Sequence, residues 1–102
     1  MLSDNLRDEI EMFKRHIIVL RAVIKEGAIG ILKLAEVTAL PTHKVRYSLR
    51  ILEREGLIRP SYRGAVATRA GIEVFDGIKA EIESIEAKIM ELKKHADPNR
   101  KN

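Results

Sequence analysis

The chain has 102 residues, enough for one domain with a core of its own and too few for two. It is 45% hydrophobic and 33% charged, with 4% aromatic residues and no Cys or Trp, so Ile, Leu, Val and Ala must build the core. It contains no apolar run of about 18 residues, and its N-terminus is acidic rather than basic, which argues against membrane spanning and secretion and predicts a cytoplasmic protein.

The formal net charge of +4 is concentrated in one part of the sequence. Residues 42–69 contain seven Lys or Arg and two Asp or Glu, a net charge of +5, whereas residues 1–41 are neutral and residues 70–102 carry −1. A positive block of this kind is typical of a surface that binds a polyanion. Charge alone leaves open the alternative of a solvated basic face.

A first helix is predicted over residues 4–26, and Gly27 is expected to end it. Apolar residues recur in it at alternating spacings of four and three, a heptad-like pattern. These residues are Leu6, Ile10, Phe13, Ile17, Leu20 and Ile24. Because the helix is longer than a three-helix domain needs, its first three turns are expected to project and to pack against the C-terminal helix.

A second helix of two turns is predicted over residues 31–38, with Leu34 and Ala35 facing inward. The apolar connector before it, residues 28–30, can supply one or two residues of edge strand. About three residues then separate this helix from a cationic one. Two short helices joined in this way form the helix-turn-helix arrangement.

The third helix, predicted over residues 41–55, is the segment that organises the rest of the chain. Pro41 suits its first position, and Gly56 suits the residue just past its end. One stripe is apolar and is expected to be buried: Val45, Leu49 and Leu52. The opposite stripe combines cations with a phenol and an imidazole: His43, Arg46, Tyr47 and Arg50. Such a helix can present hydrogen-bond donors to a DNA major groove while a small core holds it.

A short hairpin is predicted after Gly56, with strands at residues 57–61 and 65–68. Arg63 lies at its tip, where an arginine can reach a phosphate or enter a minor groove. Tyr62, beside it, is expected to support the hairpin rather than to read bases. Thr68 is expected to cap the helix that follows.

A long helix is predicted from Arg69 to about His95, with apolar residues stepping by three and four through three heptads. The residues assigned to this dimerisation seam are Phe75, Ile78, Ile82, Ile85, Ile89 and Leu92. A seam of this length is unstable in water, which predicts a homodimer. An intramolecular hairpin with the first helix is the alternative, and the sequence leaves the direction of pairing open.

The order of these elements and the segment LAEVTALPTHKVRYSLRILEREGLIRP resemble the winged helix-turn-helix of prokaryotic transcriptional regulators. The similarity covers residues 17–71. Its specific parts are Leu34-Ala35, Leu40-Pro41, the segment from Val45 to Leu52, the run at residues 53–58 and the closing ATRAG at residues 67–71. The chain length and the C-terminal seam resemble small archaeal winged-helix proteins that pair through that helix.

The resemblance implies a mainly α fold with a small β-hairpin, in the α+β class. It implies a winged helix-turn-helix domain at residues 1–71, a dimerisation helix at residues 72–96 and a disordered tail at residues 97–102. It further implies that the recognition helix, residues 41–55, enters a major groove and that the wing, residues 59–66, lies on the DNA backbone.

The resemblance also implies roles for individual side chains. Those expected in the major groove are Thr42, His43, Arg46, Tyr47 and Arg50. Those expected at phosphates are Lys44 and Arg54, together with Arg63 as the wing contact. The chain departs from the family pattern at Ala39, where the turn often has glycine, and in the shortness of its wing.

Several of these side chains have alternative roles. Arg46 and Arg50 can each donate two hydrogen bonds to guanine, worth about 1–3 kcal/mol of discrimination, but they can instead pair with Glu53 or only solvate the helix. His43 can donate to a base edge or a phosphate, or be an inert residue of the first turn. Tyr47 can reach a phosphate or pack its ring against the wing.

No catalytic constellation is recognisable. Cysteine is absent, the three histidines lie on three different predicted helices, and no Gly-rich phosphate loop or metal-ligand spacing occurs. We therefore expect no enzymatic activity, cofactor or metal, and no separate sensing domain fits a small-molecule effector.

The hypothesis from sequence is a homodimeric, nucleoid-associated transcriptional regulator whose partners are double-stranded DNA and a second copy of itself. Two alternatives stay open. One is a sequence-tolerant architectural chromatin protein on the same fold, and the other is a winged-helix protein–protein interaction module, against which the positive block argues.

Overall fold

The computed structural model describes residues 1–99, which form five helices and a two-stranded antiparallel sheet. In chain order the elements are α1 (Asp4–Glu26), α2 (Ile31–Thr38), α3 (Thr42–Arg54), β1 (Ile58–Ser61), β2 (Gly64–Ala67), α4 (Arg69–Asp76) and α5 (Ile78–His95). The predicted mainly α class with a small hairpin is confirmed. Of the predicted tail, residues 97–99 form a turn in which the Asn99 amide donates to Asp97 Oδ1 at 3.0 Å. Residues 100–102 lie outside the described part.

The core lies where α1 packs against α2, α3 and the hairpin. Its eight buried apolar side chains, each at most 4% exposed, are Val19, Leu20, Val23, Ile29, Leu34, Val45, Leu52 and Ile58. Each contributes about 1.5–3 kcal/mol by leaving water. Phe75 of α4 packs on the edge of this cluster, so α4 belongs to the same domain as α1–α3.

The buried face of α1 is wider than its heptad-like pattern indicates. Val19 and Val23 are fully buried although the pattern omits them, whereas Leu6 and Ile10 are 47% and 46% exposed. The pattern assumes one partner along one seam. α1 instead packs against α2, α3, α4 and the hairpin, and its buried residues all lie in its second half, so tertiary contacts override the pattern there.

α3 is one residue shorter at each end than the predicted helix of residues 41–55. Pro41 is not the first helical residue, since its ψ of 147° is extended; its carbonyl accepts the amides of Lys44 and Val45, which makes it the N-cap. At the other end Gly56 has a φ of +76°, and the Leu57 amide donates to the Leu52 carbonyl at 2.9 Å. This Schellman motif confirms the predicted end of the helix.

The hairpin is close to its predicted position and is tied to both α1 and α3. Ser61 pairs with Gly64 across a two-residue turn, and Ile29 adds a bridge to Ala65, with backbone hydrogen bonds of 2.8 and 3.1 Å. The short edge strand expected in the connector is thus present as one residue. Thr68 Oγ1 accepts the Gly71 amide at 3.0 Å, as predicted for a helix cap, and donates to the Gly56 carbonyl at 2.7 Å.

The helix predicted from Arg69 to His95 is divided at Gly77 into α4 and α5. α4 packs against α1 and the hairpin, but α5 packs chiefly on α4 and contains no buried residue. The molecule is consequently elongated, with extents of 59, 28 and 21 Å. None of the helices within residues 1–99 is long and apolar enough to cross a membrane.

Gly71 is required by a close approach of two backbones. A Cβ at this position would lie 2.0 Å from the Leu57 carbonyl oxygen, and backbone cannot move aside cheaply. We expect Gly71→Ala to lower the free energy of unfolding by about 2–3 kcal/mol, measured by urea denaturation.

Gly77→Ala is the matched control for that substitution. Its Cβ would meet only ordinary contacts, 3.7 Å from the Glu73 carbonyl oxygen, and alanine favours helix. Stability should therefore be unchanged or increased. Equal losses for the two variants would contradict the backbone contact at Gly71.

Candidate functional site

α3 divides into a buried face and a basic exposed face. Val45, Ser48 and Leu52 are buried, and Leu49 is half-buried against the core. The predicted site residues on α3 are all exposed: Thr42, His43, Lys44, Arg46, Tyr47, Arg50 and Arg54. The core therefore holds α3 along one side and leaves its donors free on the other.

An open hollow of about 460 Å³ lies over the basic face and extends onto α1. Its lining consists of Arg15, His43, Lys44, Arg46, Tyr47 and Arg50. Four of these side chains are cations and none is a carboxylate. Thr42 and Arg54, near the two ends of α3, lie outside the hollow, as does Arg63. The hollow brings five of the eight predicted DNA-contact residues together and adds Arg15, which sequence reasoning missed.

The cations of the hollow are not neutralised within the protein. Among residues 1–99 the salt bridges are Lys33–Glu36 at 3.6 Å, Arg69–Glu73 at 3.2 Å and the amino terminus with Asp4 at 2.6 Å. Neither Arg46 nor Arg50 pairs with Glu53, which was the alternative left open by the sequence. Concentrated, unpaired positive charge attracts polyanions.

A polar contact between α1 and α3 lies directly beneath the basic face. His16 Nδ1 and Ser48 Oγ are 2.7 Å apart, within hydrogen-bonding distance, and Ser48 is fully buried. The His16 ring also lies 6.0 Å from the Tyr47 ring, between centroids, at a tilt of 34°. This contact fixes how α1 crosses α3. It therefore places Arg15, the neighbour of His16, beside the face formed by Lys44 and Arg50.

The environment of His16 disfavours its charged form. Burial, and secondarily the positive charge of Arg15, lower the pKa of His16 below its ordinary value of 6.5, while Glu9 acts in the opposite direction. The neutral form of His16 is consequently favoured at neutral pH, and the partly buried ring serves as a hydrogen-bonding partner of Ser48 at the α1–α3 interface.

The sequence carried a weak signal for this contact. Ser48 lies three residues after Val45 and four residues before Leu52, which puts it on the buried stripe of α3. A buried hydroxyl needs a hydrogen-bonding partner. Nothing in the sequence identified that partner as His16, because the contact depends on the crossing of two helices and joins residues that are 32 positions apart in the chain.

The hairpin tip forms a separate positive position. Arg63 is exposed in the turn between β1 and β2, where its amide donates to Ser61 Oγ at 3.3 Å and Ser61 Oγ in turn donates to the Gly64 carbonyl at 2.6 Å. The local hydrogen bonds shape the turn and leave the guanidinium free to contact another molecule. Tyr62 is 103% exposed, so it does not pack under the hairpin as expected.

The predicted dimerisation residues divide between two environments. Phe75 packs against the core of its own chain, and Ile78 is half-buried at the start of α5. Ile82, Ile85 and Ile89 are 38–41% exposed and Leu92 is 55% exposed. The alternative of a hairpin with α1 would bury these four side chains; in the single chain they face solvent.

Within residues 1–99 no group of three His, Asp or Glu side chains is arranged to hold a metal ion. The site on α3 is instead suited to binding an anion through guanidinium, ammonium, imidazole and phenol donors.

No protein-family model matches this chain, and comparison with curated protein sequences finds no significant relative.

The lowered pKa of His16 predicts a specific pH dependence of stability. Well above pH 6.5 the imidazole is neutral in both the folded and the unfolded chain. As the pH falls below that value the unfolded chain takes up the proton first, so stability falls with pH. We expect the urea midpoint of the wild type to decrease more than that of His16→Gln between about pH 7.5 and pH 5.

The control is His43→Gln, which removes an exposed imidazole from the same surface. A difference from the wild type as large as that of His16→Gln would show that the effect is not specific to His16. Parallel profiles for the wild type and His16→Gln would mean that His16 does not couple protonation to folding.

Proposed function

We propose that this protein is a DNA-binding transcriptional regulator of the winged helix-turn-helix type, which acts as a homodimer. The observation that carries the proposal is the basic hollow over α3, whose lining contains four cations and no carboxylate. Three of these cations, Lys44, Arg46 and Arg50, lie on a helix whose opposite side is anchored in the core, and the fourth lies on α1. Among common polyanions, duplex DNA has a groove that matches such a helix.

The dimensions favour entry of α3 into a major groove. The groove is about 12 Å wide and a helix with its side chains is about 10–12 Å across. α3 has 13 residues, and its exposed face runs along its whole length from Thr42 to Arg54. Arg46 and Arg50, one helical turn apart in mid-helix, then read base edges, and His43 and Tyr47 flank them.

Two further elements support the winged-helix assignment. α2, a short turn and α3 follow one another as in a helix-turn-helix. The β1–β2 hairpin, supplemented by the bridge at Ile29, has the position of a wing, with Arg63 at its tip for the DNA backbone. Lys44 and Arg54 contribute phosphate contacts that set position rather than preference.

The turn between α2 and α3 retains the geometry that glycine usually supplies. Ala39 adopts a φ of +58° and a ψ of 27°, a left-handed conformation that is costly for a residue with a Cβ. Thr38 Oγ1 supports this turn by donating to the Leu34 carbonyl at 2.6 Å. Ala39 therefore adopts a conformation that glycine reaches without this cost.

The proposed dimer forms through α5. Its four outermost seam residues expose 38–55% of their surface, and a helix with such a stripe requires a partner. A second copy supplies the same stripe and forms a two-fold interface. Two copies of α3 would then meet successive major grooves of one duplex.

The recognition surface is tested by removing its two central arginines. We expect Arg46→Ala combined with Arg50→Ala to reduce affinity for a cognate duplex at least tenfold, because each arginine contributes about 1–3 kcal/mol. Affinity is measured by fluorescence anisotropy on duplexes selected from a random pool, at about physiological salt.

The control is Arg7→Ala combined with Lys94→Ala. It removes the same two charges from exposed positions in the first turns of α1 and the last turn of α5. Its affinity should stay within about twofold of the wild type. Unchanged affinity for Arg46→Ala/Arg50→Ala would remove the assignment of α3 as the recognition helix.

The same titration separates regulator from architectural protein. A regulator binds its selected duplex roughly a thousandfold or more tighter than random sequence, as specific DNA-binding proteins do. A ratio near one would favour sequence-tolerant packaging on the same fold. Absence of any retardation of DNA at low salt would favour the protein–protein module.

Self-association is tested in the centre of the α5 seam. We expect Ile85→Glu to convert the dimer to a monomer, since it places a charge in the apolar interface; mass is measured by light scattering after gel filtration. Ala87→Glu, two residues away and outside the heptad seam, is the control and should remain dimeric. A monomeric wild type would contradict the proposed dimer.

A further inference from the structure

We propose that Arg15, on α1, is a DNA-phosphate contact that extends the binding surface of α3 onto a second helix. This inference rests on the proposed function, because it names an additional contact of the same interface. It concerns a residue outside the helix-turn-helix and the hairpin.

The position of Arg15 follows from the contact beneath the basic face. His16 and Ser48 join α1 to α3 through a contact of 2.7 Å between Nδ1 and Oγ. Arg15 precedes His16 and is half-buried at the edge of the hollow that Lys44, Arg46 and Arg50 line. The crossing of the helices therefore delivers an α1 side chain to the α3 surface.

Helix spacing assigns Arg15 to a phosphate rather than to a base. Packed helix axes lie about 8–10 Å apart, and the major groove is about 12 Å wide. If α3 occupies the groove, α1 must remain outside it, next to the strand that borders the groove. A side chain that projects from α1 toward α3 then meets that strand. Its guanidinium can form charge-assisted, bidentate hydrogen bonds to phosphate oxygens.

The electrostatics of the free protein favour an anion at this position. Within residues 1–99 Arg15 forms no salt bridge, and the other cations of the hollow are equally without carboxylate partners. Its charge also contributes to the lowered pKa of the adjacent His16, which shows that the surroundings of this arginine disfavour a further positive charge. Four neighbouring cations without a counter-charge repel one another, and a bound phosphate offsets this repulsion.

The experiment compares Arg15→Gln with Arg7→Gln in the full chain. Both variants remove one arginine charge from α1, but Arg7 is exposed in the overhanging turns, away from α3. Affinity for the selected duplex and for a random duplex is measured across about 0.05–0.3 M salt.

We expect Arg15→Gln to lower the affinity for both duplexes by a similar factor, roughly three- to tenfold. It should also reduce the magnitude of the slope of log K against log salt concentration by about one. Arg15→Lys should retain most of the slope. The melting temperature of Arg15→Gln should be equal to or higher than that of the wild type, a result that a purely structural arginine would not give.

Three outcomes would overturn the inference. A salt slope equal to that of Arg7→Gln means that Arg15 contacts no phosphate. Loss of affinity for the selected duplex alone means a base contact. Lower affinity together with a lower melting temperature and an unchanged slope means a structural role. Failure of the proposed function is distinguishable, because it is read from the wild type alone: a protein that does not bind DNA would bind neither duplex, and a sequence-tolerant one would bind both equally.

Discussion

The contact between α1 and α3 is the constraint on which the rest of the structure depends. Val19 and Val23 of α1 and Val45 of α3 are fully buried in the same cluster. The contact of His16 with Ser48 lies on the same side of both helices. Apolar packing is non-directional, so it brings the helices together without selecting one crossing. A short polar contact has a defined geometry and therefore selects the angle and offset at which they cross.

The crossing angle of α1 and α3 has a functional consequence, because on each helix a residue of the exposed face is the immediate neighbour of His16 or Ser48. Tyr47 precedes Ser48, and Arg15 precedes His16. Rotation of either helix would separate these neighbours and disperse the positive charge. Desolvation favours the neutral form of His16, which keeps another positive charge out of a region that already concentrates cations. The contact between His16 and Ser48 thus fixes the arrangement of the exposed basic face, although neither residue belongs to that face.

α5 differs from the other helices because it contributes no buried residue to the core. Gly77 separates it from α4, and beyond Ile78 its seam residues are exposed. The proposed binding face and the proposed association face are consequently on different elements, joined by α4. A change in one can be made without repacking the other.

The amino-acid sequence by itself determined the order of the elements and most of their ends. Local signals sufficed there: the apolar stripe of α3, the left-handed Gly56 and the capping Thr68 act within a few residues. The sequence also identified the basic face of α3, since residues one turn apart on a helix must share a surface.

Only the tertiary structure decided which other groups meet that face. Arg15, His16 and the buried side of Ser48 come together through the crossing of two helices, which no local pattern encodes. The same reason explains why the heptad-like pattern of α1 misjudged Val19 and Val23. Periodicity identifies an apolar direction on one helix, but the number and position of its neighbours determine how much of that helix is buried.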